Sequence, residues 1–279
     1  EISCSLVGSE MCIRDSYKIT RGIEGSSWSN PWYKWFLNFF TDPYFGRLLK
    51  NTFLISGLTI LFGFPAPIIL ALMINEVKNS AFKRTVQTIT YMPYFISMVV
   101  LCGLLKTFCM QDGLFAQIAV LFGGKAQNYL ANPAYFRTIY VLSDIWSGIG
   151  WNSIIYLAAL SSIDQEQYEA ARVDGANRFQ QMLHITLPGL VPTIMVLFIL
   201  RMGNILNVGY EKILLLYNSA TYSTADVIST YTYRLSFGGS GNPMYSKSTA
   251  IGLFNTIINV FFLMLTNMIS KKATDAGLF

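Results

Sequence analysis

Charge is the first thing this sequence lacks. Only 13% of its 279 residues are Asp, Glu, Lys or Arg, whereas 53% are hydrophobic. Mean hydropathy is +0.43. A water-soluble domain carries about a quarter charged residues, so a soluble globule of this length is excluded and a membrane protein is indicated. The net charge of +5 is spread over the ends of apolar runs and forms no basic stripe, which excludes a nucleic-acid partner. Cysteine and histidine are equally sparse. Cys4, Cys12, Cys102 and Cys109 form no CxxC pair and read as unpaired thiols in apolar surroundings, and His184 stands alone. No metal site is expected. There is no GxxxxGK[ST] phosphate loop, no HExxH, and no Ser-His or paired-carboxylate arrangement, so neither ATP hydrolysis nor intramembrane catalysis is expected of this chain.

The start of the chain also lacks something. Residues 1–16 do not begin with Met and have neither the basic first region nor the apolar stretch of a signal peptide. The run from Val7 to Ser16 resembles the translated end of a sequencing adapter. Residues 1–16 are therefore expected to be non-native, replacing an original N-terminus.

What is present is apolar length. A spanning helix needs about 20 predominantly apolar residues, and five segments qualify. Thr52 to Ile74, Thr85 to Leu105 and Ser248 to Ser270 carry no charged side chain. Ala134 to Ile163 and Ile185 to Tyr210 are long enough with interior charges, Asp144 in the first and Arg201 in the second, with Arg137 near an end. Pro65, Pro67, Pro93, Pro188 and Pro192 lie within or at the start of these runs, which predicts kinked spans whose freed carbonyls are satisfied by neighbours. The fold class expected is an all-α polytopic helix bundle.

Orientation follows from Lys and Arg near span ends. Lys78, Lys83 and Arg84 lie in one connection, Arg172 and Arg178 in another, and Lys271 and Lys272 in the tail. These three places fall on one side, taken as cytoplasmic. Five Lys or Arg in Tyr17 to Lys50 lie on the other side and oppose this reading. An odd number of spans with a cytoplasmic tail puts Tyr17 outside, so a sixth, more N-terminal helix is expected to be missing. Residues 17–47, with Trp28, Trp32, Trp35, Phe39, Phe40, Tyr44 and Phe45, read as an external interfacial segment, with sugar stacking as the alternative. Residues 48–272 read as the membrane domain and 273–279 as a tail.

Between the third and fourth spans, Ser161 to Pro188 (SSIDQEQYEAARVDGANRFQQMLHITLP) is unusually polar for so charge-poor a chain. Asp164 followed by Gln167 predicts a capping box and a helix from Gln165. Glu169, Ala170, Ala171 and Arg172 continue the helix, and Gly175 predicts a left-handed end. A second short helix, Arg178 to His184, follows before Pro188 opens the next span. Ala170, Ala171, Gly175 and Ala176 admit close approach of a partner backbone, with Glu169, Asp174 and Arg172 as oriented charges at the rim. Such a surface suits docking into a groove.

Glu169-Ala170-Ala171, Gly175, Ile185 and Leu187-Pro188 match in spacing the EAA signature of binding-protein-dependent ABC importer permeases. The chain from Tyr17 to Phe279 resembles the carbohydrate-uptake branch of that family, nearest the oligosaccharide and aldouronate permeases of Gram-positive bacteria, through Phe62 to Ser97 and Asp144 to Asp164. The resemblance implies that Glu169, Ala170, Ala171, Asp174, Gly175 and Ala176 form a cytoplasmic coupling helix (loop 161–188) seated in a cleft of a separate ATPase subunit. It also implies a second homologous permease subunit, an extracellular lipoprotein substrate-binding protein, a sugar substrate, membrane lipid around the spans, and a multi-pass place in a bacterial cell membrane. The resemblance implies no cofactor in this chain, because ATP is bound by the partner.

Ionisable groups inside spans are costly and read as functional. Counted from the cytoplasmic ends, Asp144 and Arg201 both fall roughly 20–25 Å up, where they either form an orienting ion pair or stand at the pathway or gate. Trp146, Trp151, Asn152 and Asn204, with Asn207, Tyr210 and Glu211, offer hydrogen bonds and stacking faces to a sugar, and packing roles serve equally. Glu211 to Lys247 reads as an external connection with the turn-rich Phe237 to Pro243. The function expected is an ATP-driven sugar importer permease. The alternatives are an ABC permease for a non-sugar solute and an ion-coupled secondary transporter, in which the polar loop has no role.

Overall fold

The computed structural model describes residues 28–238 and 243–274, with the side chains of 273–274 left out. The expectations for residues 1–16, for most of the interfacial segment's first half, for the centre of the turn-rich Phe237 to Pro243 and for the 273–279 tail lie outside the described residues. Among the described residues every regular element is a helix, with no strand. An all-α protein is what the apolar runs demand, since within lipid each backbone N–H and C=O must be satisfied inside its own segment or by a closed barrel.

Four described helical runs are long and apolar enough to cross a membrane: Phe45–Glu76, Met98–Leu121, Arg178–Met202 and Tyr245–Lys272. The fifth expected span is present as the helix Pro133–Ser161, 29 residues long, about 44 Å at 1.5 Å per residue. It is long enough but not among the four by apolarity, because Asp144, Ser147, Asn152 and Ser153 interrupt it. The expected span Thr85 to Leu105 is redrawn. Helix Ser80–Tyr91 ends in a 3-10 turn, Met92–Phe95, Ile96 is extended, and a new helix starts at Met98. Pro93 has no N–H and its ring clashes with the carbonyl four residues back, so the helix stops there. The fourth span ends at Met202 rather than Tyr210.

The prolines act through the turn before them. A π-helical turn, Thr59–Gly63, joins Phe45–Leu58 to Pro65–Glu76, and a second, Met182–Thr186, leads into Leu187–Met202 with Pro188 in its first turn. The wider turn accommodates a proline ring inside a continuous helix. Consequently the second short helix, Arg178–Gln181, is not separate from the span as expected but its first turn.

The described chain forms two compact units. One comprises 28–56, Cys102–Ile139 and the described part of Ile205–Phe261. Its core packs Phe39, Leu48, Ile228, Tyr231 and Ile251 together, with the Phe45 and Phe254 rings edge-on to Phe39 at 5.0 and 5.6 Å. The expected loop Glu211 to Lys247 is mostly helix in this unit: Tyr210–Leu216, Tyr222–Ala225 and Ile228–Phe237. The other comprises Gly57–Leu101, Tyr140–Asn204 and 262–274, with a core of Ala71, Tyr156, Leu160 and Leu190. In it, a Cβ built on Gly150 would run into the Thr90 carbonyl oxygen, so two helix backbones touch there. Lipid supplies no hydrophobic drive between helices, and such close approach is what holds them. Large apolar side chains point outward instead, Leu61, Ile69 and Met73 among them, as bilayer contact requires.

Candidate functional site

The polar loop is built from its caps. Asp164 receives the Glu166 N–H at 3.0 Å and starts the helix Gln165–Val173 as expected. The expected capping box with Gln167 is not formed. The box lies instead at Asn177 and Gln180, whose side chains and backbone N–H groups bond reciprocally at 2.9 and 2.8 Å. Gly175 has φ +81°. The Gly175 N–H donates to Arg172 O at 3.1 Å and the Ala176 N–H to Ala171 O at 2.8 Å, the paired bonds of a Schellman end that only glycine enters without strain.

The loop is tied to its span. The Gln181 side chain donates to Ala176 O at 2.8 Å, and the Tyr168 hydroxyl bonds the Thr186 hydroxyl at 3.0 Å. Ile163 fills the space beside Gly189, where a Cβ would come within 2.8 Å of it. Glu169, Ala170, Asp174 and Gly175 are exposed, and Ala171 and Ala176 half-buried. Val173 and Phe179, 88% and 66% exposed, add an apolar contribution that the sequence reading did not single out. A hydrogen-bonded helix end with small and apolar side chains outward has a shape suited to docking into a groove.

Among the residues expected along the pathway, Asp144, Asn152 and Arg201 line one cavity of about 190 Å³ together with Thr59, Pro67 and Tyr156. Trp151 lies outside it, stacked on Tyr94 at 4.7 Å and 4°, with Phe95 edge-on at 5.7 Å. Trp146 is exposed, and Asn204 donates to Leu200 O at 3.2 Å. Neither lines the cavity. Tyr210 stacks on Tyr233 at 5.8 Å and donates to Glu211 at 3.4 Å.

A charged network escaped the sequence reading. Asp226 is buried and receives both terminal Arg234 nitrogens, Nη1 and Nη2, at 2.8 Å, Arg47 at 3.3 Å and the Thr230 hydroxyl at 2.9 Å. Asp42 receives Lys247 at 2.7 Å and the Tyr231 hydroxyl at 2.6 Å. Burial opposes the Asp42 charge, but Lys247, Tyr231 and the Tyr44 N–H offset it and hold its carboxyl below the usual range. Burial and the Asp42 carboxylate push the Tyr231 hydroxyl up. Burial works against the Arg234 charge, and its bonds to Asp226 and Tyr217 raise its pKa nonetheless. The available signal was scarcity: in a chain so poor in charge, a buried acid needs a cation partner.

Together these features define a polytopic helical membrane protein with a structured polar loop, the form of a transport subunit driven by another protein. Residues 63–275 match the family described as binding-protein-dependent transport system inner membrane component, and the chain belongs to that family. It is similar to Protein LplB of Bacillus subtilis (strain 168), 42% identical over 90% of this chain and 79% of the relative. It is similar also to the polygalacturonan/rhamnogalacturonan transport system permease protein YteP of the same organism, 41% identical over 94% of this chain and 81% of that one. A chain in the crystal structure of a bacterial alginate ABC transporter, in complex with alginate pentasaccharide-bound periplasmic protein, superposes with a TM-score of 0.88 at 41% identity, covering 99% of this chain and 91% of that one. The chain is thus an ABC importer permease subunit and not itself an enzyme.

Proposed function

We propose that this chain forms half of the translocation pathway of an ATP-driven importer for acidic oligosaccharides. The substrate class is carried over from the relatives named for polygalacturonan, rhamnogalacturonan and alginate. Its partners are a second permease subunit, two ABC ATPase subunits and an extracellular substrate-binding protein. Residues 48–272 are taken as the transmembrane domain, and the ends bearing Lys78, Arg172 and Lys271 as cytoplasmic, with the C-terminus on that side.

The observation that carries the reading is the Gly175 helix end, which fixes a surface of exposed Glu169, Ala170, Asp174 and Gly175 and half-buried Ala171 and Ala176 on a loop bonded to the Arg178–Met202 span. In this reading, closure of the ATPase pair pushes the loop, and the bonds from Gln181 and Tyr168 pass the displacement to the span. Asp144, Asn152 and Arg201 stand on the pathway or its gate, with Trp146, Trp151 and Asn204 flanking it; an arginine beside polar donors is suited to a sugar carboxylate.

The test is ATP-dependent oligosaccharide uptake by the whole assembly in proteoliposomes. Gly175→Asp is expected to lower uptake at least about tenfold, a loss of ~1.4 kcal/mol of coupling, while Gly175→Asn, which tolerates φ > 0, retains more. Wild-type uptake by Gly175→Asp would refute the coupling role.

A further inference from the structure

The charged network around Asp226 holds more cation than its carboxylates balance. Asp226 faces both Arg47 and Arg234, and the neighbouring Asp42 is matched by Lys247. A third guanidinium, Arg137, reaches the same cluster with no carboxylate of its own. Its Nη2 donates to Asn51 Oδ1 at 2.8 Å, and the Asn51 amide in turn donates to the Asp226 and Ser223 carbonyls at 3.0 Å. Among the described residues Arg137 has no other hydrogen bond or ion pair. Its Nε is buried without an acceptor, as is that of Arg47, whereas its Nη1 is unbonded and not buried. A half-buried guanidinium with only a neutral amide for a partner lacks the counter-charge that such a group requires.

Aromatic rings flank these cations. Arg47 lies over the Tyr44 ring at 4.8 Å and Arg234 over the Tyr222 ring at 5.3 Å, and both tyrosines are exposed. Asp226 holds Arg47 and Arg234 from beneath, with their side chains 36% and 30% exposed. The Thr224 hydroxyl donates to Pro133 O at 3.0 Å, which ties the Tyr222–Ala225 helix to the start of the helix that carries Arg137. A surplus guanidinium beside outward tyrosines matches a sugar acid: the rings stack on the apolar face of a pyranose, and the guanidinium takes its carboxylate in two parallel bonds. We propose that this patch binds a uronate residue of the oligosaccharide, with Arg137 as the residue that reads its carboxylate. The inference rests on the proposed function, which supplies the acidic substrate and puts this end outside the cell, because Arg137 lies at the opposite end of the Pro133–Ser161 helix from the polar loop. The patch shares no residue with the cavity of Asp144, Asn152 and Arg201.

The experiment uses the complete permease–ATPase assembly in nanodiscs, without the substrate-binding protein, and measures binding of trigalacturonate and of its methyl ester by equilibrium dialysis. The wild type is expected to prefer the acid, and Arg137→Gln to lose that preference by about tenfold or more while binding the ester as before. Arg137→Lys, which keeps the charge but not the planar fork, is expected to keep part of it. Tyr44→Leu is expected to weaken acid and ester alike, because stacking does not sense the carboxylate. Equal binding of acid and ester by the wild type overturns the proposal, a result that stands even if Arg137→Gln fails to assemble. So does an unchanged preference in assembled Arg137→Gln. A loss confined to association with the substrate-binding protein makes the patch a protein interface and overturns it too. Uptake of trigalacturonate by the whole importer tests the underlying function separately: uptake together with equal binding of acid and ester refutes the carboxylate site alone, and absence of uptake refutes both.

Discussion

Asp42 and Lys247 are 8% and 7% exposed and meet at 2.7 Å, with the Tyr231 hydroxyl on both. Removing one member leaves the other as an uncompensated buried charge. Asp42→Ala is expected to cost about 3–5 kcal/mol, read as a fall in the thermal unfolding midpoint of the purified protein. The folded carboxyl is held below its ordinary value, so its contribution is fully present above about pH 4 and is lost as pH falls through the folded value. Tyr231 behaves oppositely: its hydroxyl is pushed up, so its contribution is present below about pH 10 and is lost as pH rises from there. Thermal midpoints measured from pH 3 to 7 are expected to drop at the acid end in the wild type, with a shallower drop in Asp42→Asn. An equal acid drop in both would assign the effect to other groups.

At the scale of elements, two backbone events decide the shape of the second unit. Prolines at 65 and 188 are absorbed by π-turns within continuous helices, whereas Pro93 ends a helix. The difference lies in the backbone just beyond each proline. After Pro93 the chain turns extended at Ile96 and restarts, while Pro65 and Pro188 sit in the first turn of a helix that continues. Helix contact is decided by Gly150. Any Cβ there strikes the Thr90 carbonyl and the Tyr91 ring, and a carbonyl cannot rotate away as a side-chain tip does. Gly150→Ala is expected to force the two helices apart at a cost of about 1–3 kcal/mol, measurable as lower thermal stability and lower yield. Gly57→Ala, with nothing within 4 Å, is expected to be tolerated in the same assay.

For the whole molecule, the proposed cytoplasmic side of the tail has a direct measurement. A fluorescent-protein fusion after Phe279 is expected to be bright and an alkaline phosphatase fusion there inactive in the bacterial host; the opposite pair would invert the proposed orientation and place the polar loop outside, away from any ATPase. Much of this protein is fixed locally. Scarce charge and long apolar runs determine a helical membrane protein, because lipid leaves the backbone few other ways to satisfy its polar groups. Asp164, Gly175 and Pro188 determine the loop's helix start, its left-handed end and the entry to the next span, because caps are contacts between residues a few positions apart. Only the tertiary structure decided the rest. Asp42 finds Lys247, and Arg47 finds Asp226, across about 180 residues or more of chain, and no local pattern encodes such a pairing. It also brought Asp144 and Arg201 to one cavity while leaving Trp151 stacked on Tyr94 outside it. The physical reason is the same in each case: hydrogen-bonded turns are specified by neighbours along the chain, but the partner of a buried or membrane-level charge is specified by which helices the packing sets side by side.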